Sequence, residues 1–257
     1  MSDIQPVFIG LDTTAGKRPA TIAILDISLH ILKCDSMPNQ EILALIEEYP
    51  LAVCGVDAPI QHSKSLLADR AVRERLGLNP SLHNYSTYRI CEYELRRRGI
   101  RSYKTPVEGQ KAPNWMQTSW SLYDQLAGIG FASYPASGSR IMFETYPHAA
   151  YTMMIKKRPY PKDSLEGRMQ RQLILYREGI NMPDPINVVE EWTRHRFMKG
   201  ELPLDGLFEH DALDALIAAY TAFLLYREPH SVTAIGEVAD GQILVPVPVN
   251  DLLDVYV

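Results

Sequence analysis

The sequence predicts an α/β protein built on one mixed sheet, and three observations carry that reading. Two short apolar runs, Val7–Leu11 and Leu51–Val56, each end in an aspartate. Between them lie closely spaced β-rich segments and then a helix-spaced segment. Late in the chain, Phe208–Tyr226 carries alanines at 212, 215, 218, 219 and 222 among leucines and isoleucines, the face of a helix made to lie flat on a sheet.

Taken in order, Val7–Asp12 reads as a buried strand and Thr13–Pro19 as a turn, because Thr, Gly, Lys and Pro interrupt the apolar pattern. Ala20–Asp26 and His30–Lys33 complete an antiparallel meander. Ile42, Leu45 and Ile46 have helical spacing, which predicts a helix over Asn39–Glu48 with Asn39 as its cap. Leu51–Asp57 returns as a strand, and strand–helix–strand favours parallel addition to the sheet. Residues 58–139 form a helical insertion, with helices expected over Leu66–Leu76, Tyr88–Arg98 and Thr118–Gly128 and a loop over Tyr103–Asn114. Arg140–Glu144 is a short strand and Ala149–Ile155 starts another helix. Lys157–Lys162, with two prolines, is a linker or active-site loop. Leu165–Arg177 and Ile186–Lys199 are amphipathic helices, and Gln242–Val247 is a last strand. No composition shift marks a second domain, so the expectation is a single domain over 1–257.

Composition excludes several classes. Hydrophobic residues are 46% and charged residues 22%, the balance of a globular protein with a sizeable core. A net charge of -5 argues against gripping nucleic acid by bulk charge, while leaving room for a local basic groove. Cys34, Cys54 and Cys91 are odd in number and lack C-x-x-C spacing, which fits a reducing compartment. The first residues lack the basic and apolar blocks of a leader, and no apolar stretch reaches the roughly 18 residues of a membrane helix. The expected location is the cytoplasm.

The chemistry-bearing residues are acidic. Asp12 and Asp57 end strands, Glu144 ends a third, and Asp211 and Asp214 are three apart and share a helix face. Carboxylates brought together repel one another, and a hard divalent cation with oxygen ligands relieves the repulsion. Two such ions about 4 Å apart would serve both oxygens of a phosphodiester displacement. Capping of turns and of a helix N-terminus is the competing reading of each acid alone.

Arg96, Arg97, Arg98, Arg101 and Lys104 form the densest basic run, with Tyr93 and Tyr103 near it for stacking. Lys156, Lys157 and Arg158 are a second basic group. Arg168 and Arg171 share a helix face after Lys162 and are suited to phosphate. Trp115 and Trp120 are assigned to the core. His148, His195 and His210 are candidate bases, with His210 best placed beside the acidic pair.

These residues resemble a known family. Gly10-Leu11-Asp12, Gly55-Val56-Asp57-Ala58-Pro59, Arg89-Ile90-Cys91-Glu92-Tyr93-Glu94-Leu95-Arg96, Phe143-Glu144-Thr145-Tyr146-Pro147, Gly167-Arg168 with Arg171, Asp211-Ala212-Leu213-Asp214-Ala215 and Val245-Pro246 follow in order. The chain resembles an uncharacterised family of predicted nucleases with the ribonuclease H-like fold, a numbered domain of unknown function, distantly similar to Holliday-junction resolvases. The resemblance implies a mixed five-stranded sheet with three antiparallel strands and two-metal hydrolysis of nucleic acid, DNA or RNA. It implies Mg²⁺ or Mn²⁺ on Asp12, Asp57, Asp211 and Asp214, with Glu144 as a further ligand or base. Arg89, Arg96, Lys162, Arg168 and Arg171 are the substrate-binding candidates. No membrane partner is expected, and the oligomeric state stays open, a homodimer included. Two other functions compete. A phosphotransferase or ATPase of the actin and sugar-kinase type would use the Gly/Thr turn Gly10–Lys17, although neither a second glycine-rich loop nor a P-loop is found. A non-catalytic nucleic-acid-binding module is the other.

Overall fold

The structure is a computed structural model and describes residues 5–14, 18–78 and 85–252. Ala15, Gly16 and Lys17 of the Gly/Thr turn, and Met1–Ile4 at the start of the sequence, lie outside the described residues.

The chain opens as β1 (Val7–Asp12), β2 (Ala20–Leu25), β3 (Ile31–Met37), α1 (Asn39–Glu47) and β4 (Ala52–Asp57). It continues through α2 (Arg70–Arg75), α3 (Ile90–Arg97) and α4 (Asn114–Gly128). Then come β5 (Ala132–Ser133), β6 (Arg140–Thr145), α5 (Pro147–Ile155), α6 (Leu165–Arg177), α7 (Asn187–Glu190), α8 (Arg194–Lys199) and α9 (His210–Arg227). The last two described strands are β7 (Thr233–Glu237) and β8 (Gly241–Val245).

The strands form one mixed sheet in the order β3-β2-β1-β4-β6-β8-β7, with β5 beside β6 off that path. The meander β1-β2-β3 is antiparallel, and β4, β6 and β8 add to it in parallel. Among the described residues the sheet has eight strands, not five. β5 is two residues long, and β7 carries Gly236 at φ 101°, so neither shows the alternation that reveals a strand in sequence.

Two apolar layers cover the sheet. α9, α5 and α6 pack on one face, through Leu213, Leu216, Tyr151 and Leu175. α1 and α4 pack on the other, through Ile42, Ile46, Leu122 and Leu126. The insertion is therefore part of the core: α4 is a layer of the sheet sandwich, and α3 packs through Cys91 and Leu95 against Ile235 and Ile243 of β7 and β8. Two local expectations differ. Asn39 is the first residue of α1 and Pro38 precedes it, so no side chain caps that helix. The helix expected over Ile186–Lys199 is two short ones, because Thr193 leaves helical geometry and accepts a bond from the Arg196 amide to cap α8.

α9 lies unusually close to the sheet. A Cβ at Gly10 would meet the Ala215 carbonyl at 1.9 Å, and one at Gly55 would meet the Ala218 carbonyl at 2.8 Å. Glycine on the strand and alanine on the helix are what permit this approach. Gly10→Ala is expected to destabilise the protein by about 1–3 kcal/mol or more, the range for overpacking a core. Urea denaturation checks it; an unchanged midpoint would contradict the close approach.

Candidate active site

Parallel register decides the first half of the site. β1 and β4 run side by side in step, so Asp12 and Asp57 are direct cross-strand partners at the carboxyl ends of their strands. That is where open α/β sheets place their sites. α9 supplies the second half: Asp214 on its sheet-facing side is 4% exposed, beside Asp12 at 7%. Thr13 ties the two strand ends together by donating to the Asp57 carbonyl at 3.1 Å.

Asp12, Asp57 and Asp214 share one poorly solvated place. Burial raises the Asp12 carboxyl well above its usual range, and repulsion from Asp57 and Asp214 raises it further. Burial and Asp214 do the same to Asp57. Burial also raises Asp214, against the pull of Lys162. The Lys162 ammonium lies 2.8 Å from Asp214 and 4.0 Å from Asp211. Burial opposes its charge, but the carboxylates around it outweigh burial and hold it protonated.

The sign of the pH dependence follows. A carboxyl whose folded pKa is raised binds its proton more tightly when folded. Its contribution is fully present below the unfolded value, near 3.8, and is lost as pH rises through the folded value. The metal-free protein is therefore expected to gain stability from these groups between neutral and mildly acidic pH. Urea midpoints across that window measure it; Asp12→Asn should flatten the gain, and an identical profile in that variant would contradict it.

α6 brings Lys162 and Asp214 together. Its N-cap Ser164 accepts from the Gly167 amide at 3.0 Å and donates to the Pro161 carbonyl at 2.9 Å. The strap Arg158-Pro159-Tyr160-Pro161-Lys162 is bound to the helix at Tyr160, whose amide donates to Gln170 and whose carbonyl accepts from Arg171. A Cβ at Gly167 would lie 1.8 Å from the Pro161 carbonyl, so glycine lets the strap touch the helix. From the same helix Arg168 donates to the Leu207 and Phe208 carbonyls, and Phe208 donates to Gln172, which sets the start of α9.

A cavity of about 600 Å³ opens between the strap and the strand ends. Asp57 and Asp214 are on its wall, and so are Arg101, His148, Arg158, Lys162 and Arg171. The sequence marked the prolines of this loop but not the cavity, because its cations come from three separate parts of the chain.

The other expected residues fall elsewhere. Glu144 is 1% exposed, and its carboxylate accepts from Arg89 twice, from the Tyr103 hydroxyl and from the Ile60 amide at 2.6–2.9 Å. These bonds fill its oxygens from within the protein, behind Asp57. Arg89 is fully buried and also pairs with Glu92 at 3.0 Å, which puts it out of reach of a substrate. Arg96 donates to the Ser102 carbonyl and lies over the Tyr88 ring. Arg168 is used on the loop before α9 and on Glu209. Of the five substrate-binding candidates, Lys162 and Arg171 face the cavity. Asp211 is at the rim, its side chain 40% exposed and 3.2 Å from His210.

Tyr93 is buried, and Tyr103 is half-buried with its hydroxyl donating to Glu144 and its ring edge-on to Trp115, so neither ring is offered for stacking. Trp120 stacks on His62 and is partly buried, as is Trp115. His195 is exposed on α8.

Among the described residues, no three or more His, Cys, Asp or Glu side chains are arranged to hold a metal ion. The metal set expected on Asp12, Asp57, Asp211 and Asp214 is thus not gathered round one point: Lys162 answers Asp214, and Asp211 turns to His210. The chemistry of the three inner donors, oxygen alone, still fits a hard divalent cation. Among the described residues, no helix is long and apolar enough to cross a membrane.

Fold and site together define an α/β protein with a carboxylate cluster at the ends of two parallel strands, faced by a basic cavity. The chain belongs to the family described as protein of unknown function (DUF429), whose model matches residues 10–234. No curated protein and no solved structure matches it.

Proposed function

We propose that this protein is a metal-dependent hydrolase of phosphodiester bonds in nucleic acid, with a ribonuclease H-like core. The observation that carries the reading is the meeting of Asp12, Asp57 and Asp214 in one desolvated place with the Lys162 ammonium against them. Three carboxylates facing one ammonium leave negative charge that a divalent cation would neutralise. The strand order supports the fold: β3-β2-β1-β4-β6 is a five-stranded mixed sheet with three antiparallel strands, to which β5, β7 and β8 are additions.

Asp12, Asp57 and Asp214 would hold Mg²⁺ or Mn²⁺, with Asp211 at the rim. A bound ion supplies Lewis-acid polarisation of a phosphoryl oxygen and charge neutralisation at phosphorus. The chain's own groups do the rest. Lys162, with its side chain 47% exposed, is free to move from Asp214 to a phosphate oxygen. Arg171 provides a fixed positive charge beside it. Glu144, held by Arg89 and Tyr103, adds its negative charge to the field at Asp57.

Thermal melts in rising Mn²⁺ test the reading. A cation that binds the native state raises its stability by about 2.7 kcal/mol at a hundredfold excess over Kd. We expect a saturable rise that Asp12→Asn removes, together with Mn²⁺-dependent cleavage of single-stranded, duplex or branched oligonucleotides. No rise and no cleavage would overturn the reading and favour a binding module.

A further inference from the structure

We propose, on the basis of that reading, that the basic cavity beside the carboxylates binds a terminal phosphate monoester, so that the substrate is a phosphorylated nucleic-acid end or a nucleotide rather than the interior of a duplex.

The cavity's size is the first argument. At about 600 Å³ it falls within the range that encloses a small ligand, and it is walled on one side by the strap at 158–162. A duplex needs an open groove to pass through. Charge is the second. Arg101, Arg158, Lys162 and Arg171 converge there from the loop after α3, the strap and α6. Lys162 is paired with a carboxylate; among the described residues the other three make no ion pair. Arg171 is the telling one. It is 2% exposed and donates to the Tyr160 and Gly167 carbonyls, which orient its guanidinium without neutralising it. A buried cation whose acidic neighbour, Asp214, is already bonded to Lys162 is under-compensated, and an anion in the cavity corrects that. A terminal phosphate, with close to two negative charges and three free oxygens, matches several cations better than a bridging diester with one charge.

Two further groups complete the pocket. His148 is pushed down to about 4, by burial and then by Arg171, Arg158 and Lys162, so it faces the cavity as a neutral ring able to donate its N–H to a phosphate oxygen or accept from a sugar hydroxyl. Tyr160 lies on the wall with 58% of its surface exposed, a platform for one base. Pro159 and Pro161 hold the strap's backbone, so the platform and the cations stay in register.

Binding in EDTA separates this proposal from the hydrolase reading, because it needs neither metal nor turnover. The probes are one fluorescent oligonucleotide with a 5′-phosphate, a 3′-phosphate or neither, and a nucleoside monophosphate as competitor. We expect a phosphorylated end to bind about tenfold or more tighter than the bare one, the scale of one charge-assisted hydrogen bond. Arg158→Gln should erase that preference. Arg158 is exposed and makes no ion pair among the described residues, so the variant is expected to fold, and a melt checks that. Competition by the monophosphate at the oligonucleotide's own affinity points to a free nucleotide; weaker competition points to a strand end; both support a terminal-phosphate pocket. Equal affinity for phosphorylated and bare ends, or a preference that survives Arg158→Gln, overturns it. If the preference holds and Mn²⁺-dependent cleavage fails, the pocket stands and the hydrolase reading falls.

Discussion

Asp12→Asn is expected to remove most of the proposed Mn²⁺-dependent hydrolysis while making the metal-free protein more stable. Asp12 is the carboxylate that Asp57, Asp214 and Asp211 all repel, so removing its charge relieves three interactions at once. The amide keeps the size and lets the strand end stay paired. Metal catalysis contributes several kcal/mol of transition-state stabilisation, so the rate should fall roughly 10²–10³-fold. Stability should rise, because burial and the repulsion from Asp57, Asp214 and Asp211 no longer act on a charge at this position. For a chain of this size each ~1 kcal/mol gained moves Tm by roughly 2–4 °C. Cleavage kinetics and melts in EDTA measure the two effects separately. A fall in Tm would mean that Asp12 is a structural cap and not part of a strained cluster.

Arg89→Ala is expected to have the largest effect on folding. Arg89 is fully buried and neutralises Glu144 and Glu92, both buried as well. Breaking such a network by removing one partner costs about 3–5 kcal/mol, because the carboxylates remain in low dielectric without a counter-charge. That is a large share of the roughly 5–15 kcal/mol that holds a domain together. Lysine should not rescue, since one ammonium cannot make the two parallel bonds that the guanidinium makes to Glu144 at 2.6 and 2.8 Å. Urea denaturation of Arg89→Ala, Glu144→Gln and the double variant forms a cycle that reads the coupling directly. A loss under about 1 kcal/mol in the single variant would show that water reaches the site and screens it.

Much of the sheet was legible because the evidence for it is local. A run such as Val7–Leu11 needs burial on both faces wherever it goes, and the alanines of α9 can do little but meet a sheet. The carboxylates at 12 and 57 were legible for the same reason: an acid at the end of an apolar run must sit where the strand emerges. β5 and β7 were not legible, because two residues, or five with a glycine at positive φ, carry too little periodicity.

The charged residues divide differently. Arg89, Arg96, Arg168 and Arg171 look alike in sequence, each a cation on or next to a helix. Folding sends Arg89 to two buried glutamates, Arg96 to a tyrosine ring, Arg168 to backbone carbonyls and Arg171 to the cavity wall. Which role each takes depends on what arrives from distant segments.

The sequence by itself determined the elements near the site and where each releases its acidic residue, because hydrophobic period and strand ends are properties of neighbouring residues. Tertiary structure alone decided that Asp214 would meet Asp12 and Asp57, that Glu144 would be tied up by Arg89, and that Arg101, Arg158 and Arg171 would wall one cavity. Those outcomes depend on parallel register, on the contact of α9 with Gly10 and on the strap's seat at Gly167. Each is a contact between parts of the chain far apart in sequence, where close packing and paired charge, not local propensity, set the geometry.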